Sequence, residues 1–278
     1  MGLIGASLAQ VMNGHALWGL VFPFYPGFLL TLRRDLTEIV AAFFLITGLL
    51  LLHRQRSIPA AVCFGLAVFT RETTLLALGG IILVSFVESI LHPRREPMRW
   101  LVFATPVLAW GIFEITLDRI WGRPPFLAGT GNFGFPLRAF LAYLSAQFRH
   151  PSPDNVVPFE LLYLVFFAAI ALRAAFHVRG MKAEKLAWAL FLLMAISLNS
   201  NVWVEDLSFL RVLSEFYLFG WILLLKSRSR TALLLLAPTV ALWLTLLSAR
   251  IIDEPVQDRP SVQGSAGRVV CGYCDHGL

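Results

Sequence analysis

"IPAAVCFGLAVFTRETTLLALGGIILVSFVESIL", residues 58–91, is apolar through most of its length, yet it sets Arg71 and Glu72 side by side at its centre. As one helix it would be ~50 Å long at about 1.5 Å per residue. The hydrocarbon core of a bilayer is only ~30 Å thick. A single crossing would also leave "HRQRS" (53–57) and "HPRREPMR" (92–99) on opposite faces of a membrane. Two short passes meeting at Arg71-Glu72 keep both basic segments on one face, as the positive-inside rule favours. The sequence therefore predicts a reversal at this pair, with the pair below the outer headgroups in a protein-lined pocket.

Composition places the whole chain in the same class. Hydrophobic residues make up 58% of it and charged residues 14%, with mean hydropathy +0.73. Soluble domains carry about 25% charged residues, so the fold class expected is all-α, a polytopic membrane helix bundle. Spans are read near 3–21, 36–52, 58–70, 73–91, 100–117, 159–176, 186–201, 208–225 and 231–250, giving about 8–9 transmembrane helices. "HVRGMKAEK" (177–185) and "KSRSR" (226–230) are further short basic loops, and Lys182, Lys185 and Lys226 lie in them. Asp118, Asp154 and Glu160 fall in the alternate segments. The net charge of +6 is thus topology information, and no nucleic-acid partner is expected. The reading is an integral protein of the bacterial inner membrane, N-terminus in and C-terminus out.

Residues 1–252 read as one transmembrane domain. Its outer loop, 118–158, contains "PLRAFLAYLSAQF" (136–148), with Leu137, Phe140, Leu141, Leu144 and Phe148 at helical spacing. That pattern predicts an amphipathic helix lying on the outer face. Residues 253–278 are polar and aperiodic and read as a disordered tail. Cys271 and Cys274 form a lone CxxC there, without the second pair a metal site needs. No ligand cluster is identified elsewhere, so a divalent cation stays open as a cofactor with no residues assigned to it.

Charges at membrane depth face a protein interior or a wet cavity, and three groups stand out. In "PFYPGFLLTLRRDLTEIV" (23–40), Arg33, Arg34, Asp35 and Glu38 follow two prolines and a glycine. They read either as a capped helix start with snorkelling arginines or as site residues. Arg71 and Glu72 read either as a self-neutralising pair at a turn or as an anion-gripping arginine with its orienting neighbour. In "NSNVWVEDLSFLRVLSEF" (199–216), Glu205 and Asp206 precede Arg211, which lies inside the next apolar run. Glu114 and Asp118, four apart, form a weaker fourth set.

"YPGFLLTLRRDLTEIVAAFFLITGLLLL", "AAVCFGLAVFTRETTLLAL" and "VWVEDLSFLRVLSEF" resemble successive segments of bacterial polytopic glycosyltransferases of the GT-C superfamily, over roughly residues 20–225. The resemblance implies a polyprenyl-phosphate sugar donor taken from the membrane lipid phase. It implies substrate-binding roles for Arg33, Arg34, Arg71, Glu205, Asp206 and Arg211, with Arg71 and Arg211 on the phosphate side. It implies Asp35, Glu38 or Glu72 as the catalytic carboxylate. In that superfamily the catalytic acid precedes the matched segments, whereas residues 1–21 here hold no Asp or Glu. Three readings stay open: a glycosyltransferase in which another acid serves, a transporter or flippase, and a truncated remnant or non-catalytic subunit with a membrane-protein partner.

Overall fold

The computed structural model describes residues 1–12, 14–28, 31, 37–92, 98–122, 131–149, 157–204, 208–227 and 231–247. Among these residues the regular elements are helical, and the β pairing present is an isolated antiparallel bridge between Phe133 and Leu198. The order is α1 (Gly2–Val11), a 3-10 helix (Ala16–Val21), α2 (Thr37–His53), α3 (Ser57–Thr70), a 3-10 turn (Glu72–Thr74), α4 (Leu75–Leu91) and α5 (Arg99–Trp121). Then follow α6 (Arg138–Arg149), α7 (Val157–His177), α8 (Lys182–Ile196), the short α9 (Ser200–Val204) and α10 (Ser208–Val212), α11 (Ser214–Ser227) and α12 (Thr231–Leu247).

The long apolar run does break at Arg71. That residue is extended, with φ −155° and ψ 116°, and its N–H closes α3 on the Ala67 carbonyl. Its own carbonyl then accepts from Thr74, from the backbone N–H at 3.1 Å and from Oγ1 at 2.7 Å. Helix α5 shows which way each half runs. Arg99 Nε donates to Ser57 Oγ at 3.0 Å. Farther along, Phe64 meets Phe103 at 6.1 Å and Phe69 meets Phe113 at 5.6 Å. Hence α3 is parallel to α5. Phe86 meets Trp100 at 5.5 Å near the start of α5, while Leu75 and Leu76 share a groove with Trp110 farther along it. Hence α4 is antiparallel, and the chain reverses at residues 71–74.

The reversal gives the bundle two chemically different ends. At one, Lys182 Nζ lies 3.2 Å from Glu88, His53 Nε2 lies 2.8 Å from Glu184, and Arg99 reaches Ser57. Basic segments separate in sequence thus gather there. The opposite end collects Glu38, Arg71, Glu72, Glu114 and Arg211. Helix α11 runs between the ends from Ser214 to Lys226, and residues Ser214–Leu225 are buried without exception. A helix apolar on all sides belongs in the interior. Here it is the central post, ringed by α2, α7 and α8.

Three described helical stretches are long and apolar enough to cross a membrane: Glu72–Leu91, Arg99–Trp121 and Pro158–His177. Gly2–Val11, Thr37–His53, Ser57–Thr70 and Leu233–Leu247 are apolar but shorter. The expected span at 3–21 is not one helix. Helix α1 stops at Val11, and the 3-10 helix packs back on it. The backbones touch where glycines meet, so that a Cβ on Gly19 would sit 2.1 Å from the Ala6 nitrogen. An apolar count sees only hydrophobicity here, whereas the small residues permit the hairpin.

The expected amphipathic helix is α6. Part of its apolar stripe meets protein: Phe140 packs on Trp203 at 5.2 Å, while Leu141 remains exposed. The strand-like strap before it is pinned to the end of α8, with Gly134 N–H to Ser197 O at 2.8 Å and Asn199 N–H to Asn132 O at 2.8 Å. The tail 253–278 and loop residues 123–130 and 150–156 lie outside the described residues.

Candidate functional site

At the charged end, two arginines from distant segments are locked to two buried carboxylates. Arg71 Nη1 donates to Ser214 Oγ at 2.8 Å and to the Arg211 carbonyl at 3.2 Å, and lies 3.4 Å from Glu215 Oε1. Glu215 is fully buried. It also accepts from Thr73 Oγ1 at 3.2 Å and Ser214 Oγ at 3.0 Å. Arg211 directs both Nε and Nη2 to Glu38 Oε1 at 3.1 Å. Glu38 is buried, and its second oxygen accepts from Thr37 Oγ1 at 3.3 Å. A buried charge is tolerated when it is paired and hydrogen-bonded, and both pairs meet that condition.

Arg71 and Glu72 are therefore not the self-neutralising pair that adjacency suggests. Arg71 turns inward to Glu215, and Glu72 is exposed with no hydrogen-bond or ion-pair partner among the described residues. The extended backbone at Arg71, followed at once by a 3-10 turn, sends neighbouring side chains in different directions. Glu38, expected as a catalytic carboxylate, has its oxygens occupied by Arg211 and Thr37. Of the two expected acids among the described residues, Glu72 is the one with free oxygens. Arg33, Arg34, Asp35, Glu205 and Asp206 lie outside the described residues.

The arginines border a cavity of about 600 Å³, whose polar walls include Glu38, Arg71, Glu72, Glu114, Asn132 and Arg211. Trp110, Phe113, Phe69 and Phe133 supply aromatic walls. A second, apolar groove of about 460 Å³ shares Glu72, Thr73, Trp110, Phe133 and Met194 with it, and continues between Leu75 and Leu76 of α4 and Leu190 and Leu193 of α8. Leu193 is exposed on the outside of the bundle. Polar chamber and apolar groove thus lie side by side across a shared wall, an arrangement suited to an amphiphile.

Both guanidiniums retain donors for such a ligand. No acceptor among the described residues meets Nε or Nη2 of Arg71, or Nη1 of Arg211. Glu215 was not singled out by sequence reading, although a lone carboxylate in the apolar run after Arg211 is itself a signal that a cation lies nearby. Glu114, from the weaker fourth set, lines the cavity, while Asp118 does not. Among the described residues no three His, Cys, Asp or Glu side chains come together as a metal-ligand set. No family model matches the chain, and neither a curated protein nor a solved structure matches it.

Proposed function

We propose that this chain is a GT-C-like glycosyltransferase of the bacterial inner membrane, transferring a sugar from a polyprenyl-phosphate donor to an acceptor at the outer face. The observation that carries the reading is that the arginine-bordered chamber and the apolar groove between α4 and α8 lie side by side and share a wall. On this reading the phosphate takes the spare N–H groups of Arg71 and Arg211, and the first isoprene units lie along Leu75, Leu76, Leu190 and Leu193. The basic end faces the cytoplasm, as the positive-inside rule favours, and the chamber opens outward.

Transfer then needs few parts. The acceptor oxygen attacks the anomeric carbon while its proton passes to Glu72. The bond from that carbon to the phosphate oxygen breaks, and the electron pair leaves with the phosphate. The arginines meet the charge that develops there. Removing one such preorganised donor typically costs about 10²–10³-fold in rate, and a general base contributes about 10²–10⁴-fold. The buried Glu38 and Glu215 hold the guanidiniums in place, so that little reorganisation accompanies bond breaking.

Native mass spectrometry of the protein in nanodiscs tests the phosphate site. Undecaprenyl phosphate should be retained in preference to undecaprenol, and Arg71→Ala should weaken that retention by roughly tenfold or more. Equal retention of the two lipids, or an unchanged Arg71→Ala variant, would overturn the reading. Lipid retention without sugar transfer to any acceptor would favour the non-catalytic subunit instead.

A further inference from the structure

Glu114 is a carboxylate of this cavity that the lipid phosphate does not answer. Arg71 is matched by Glu215 and Arg211 by Glu38, and among the described residues no cation forms an ion pair with Glu114. Glu114 is only 9% exposed, it lines the chamber, and its Oε2 finds no hydrogen-bond partner among the described residues. A buried unpaired carboxylate is costly. Glu72 stands near enough for the two carboxylates to repel, with Arg71 offsetting part of that repulsion at Glu72. A cation bound beside Glu114 would relieve it.

The surroundings of Glu114 say what kind of cation fits. Trp110, four residues earlier in α5 and so on the same helix face, and Phe113 both line the chamber. Aromatic faces attract an ammonium, and a carboxylate beside them fixes its position. A divalent metal ion instead takes six or more oxygen ligands, and the third acidic or imidazole ligand is lacking among the described residues.

We infer that the head group bound in this chamber carries a primary ammonium as well as a phosphate, with the ammonium held by Glu114 against Trp110 and Phe113. This inference rests on the phosphate reading of Arg71 and Arg211 and adds a specificity to it. The arginine side takes the anion and the Glu114 side takes the cation, across one cavity of about 600 Å³. An amino sugar on a lipid phosphate and the head of an ethanolamine phospholipid both present this chemistry.

Isothermal titration on the protein in phosphatidylglycerol nanodiscs, which contain no amine lipid, separates the cases. Glucosamine 1-phosphate or phosphoethanolamine should bind roughly tenfold or more tightly than glucose 1-phosphate. Glu114→Gln should abolish that advantage without weakening glucose 1-phosphate binding. Phe113→Leu, at a partly exposed ring, should reduce the advantage without touching Glu114. Preference for glucosamine 1-phosphate identifies the amino sugar, and preference for phosphoethanolamine identifies the phospholipid head. Equal binding of all three probes would overturn the ammonium site and leave the phosphate site standing. Binding of none would overturn both. Magnesium alone binding to the wild type and lost in Glu114→Gln would assign the missing charge to a metal and overturn the inference.

Discussion

Arg71 has lost most of its water, its side chain being 12% exposed, and Glu215 opposite it is 1% exposed. Under those conditions the pair behaves as a unit, because removing one member strands the other in a poor solvent. Glu215→Leu should therefore destabilise the detergent-purified protein by roughly 3–5 kcal/mol, read as a drop in thermal midpoint. The double variant Arg71→Leu, Glu215→Leu should recover most of that loss, as expected where a well-packed apolar pair replaces an ionic one. Lys182–Glu88 at the other end is a contrast, with side chains 65% and 37% exposed. Lys182→Ala should cost under about 1 kcal/mol. Arg71 and Arg211 were legible in the sequence because an arginine inside an apolar run has few innocent explanations. Their pairings were not, since Arg211 meets Glu38 across 173 residues and no local spacing encodes that contact.

At the scale of elements, hydrophobic length and charge placement carried much of the reading, and backbone shape carried the rest. The break at Arg71 could be inferred because one helix over 58–91 is too long for a bilayer and offends the charge rule. The hairpin of α1 and the 3-10 helix could not, because hydropathy is blind to how closely two backbones approach. A methyl on Gly19 would collide with the Ala6 backbone. Gly19→Ala should thus open this hairpin at a cost on the order of 1–3 kcal/mol. Hydrogen exchange should quicken across residues 2–21 and not in α11. Unchanged exchange in 2–21 would show that the two pieces do not depend on this contact. The amphipathic helix shows the same division: its periodicity was plain, but contact of Phe140 with Trp203 required the partner to be known.

For the whole molecule, the reversal at residues 71–74 brings the basic segments to one end and the paired carboxylates and arginines to the other. Arg54 and His92 are exposed and flank the two halves of the reversed run, while Trp121 is exposed at the far end of α5. Single cysteines at these positions, in a cysteine-free background, should report that geometry in sealed vesicles. A membrane-impermeant maleimide should reach Arg54→Cys and His92→Cys from one side and Trp121→Cys from the other. Labelling of Arg54→Cys and His92→Cys from opposite sides would contradict the reversal. On the function proposed above, the same arrangement would set the direction of a bound lipid, with its head at the arginines and its chain leaving between α4 and α8. The most direct test is photo-crosslinking with a polyprenyl phosphate carrying a diazirine in its first isoprene units, followed by peptide mapping. The account predicts adducts at Leu75–Leu76 and Leu190–Leu193 that vanish in Arg71→Ala. Adducts elsewhere, or labelling indifferent to Arg71, would contradict it.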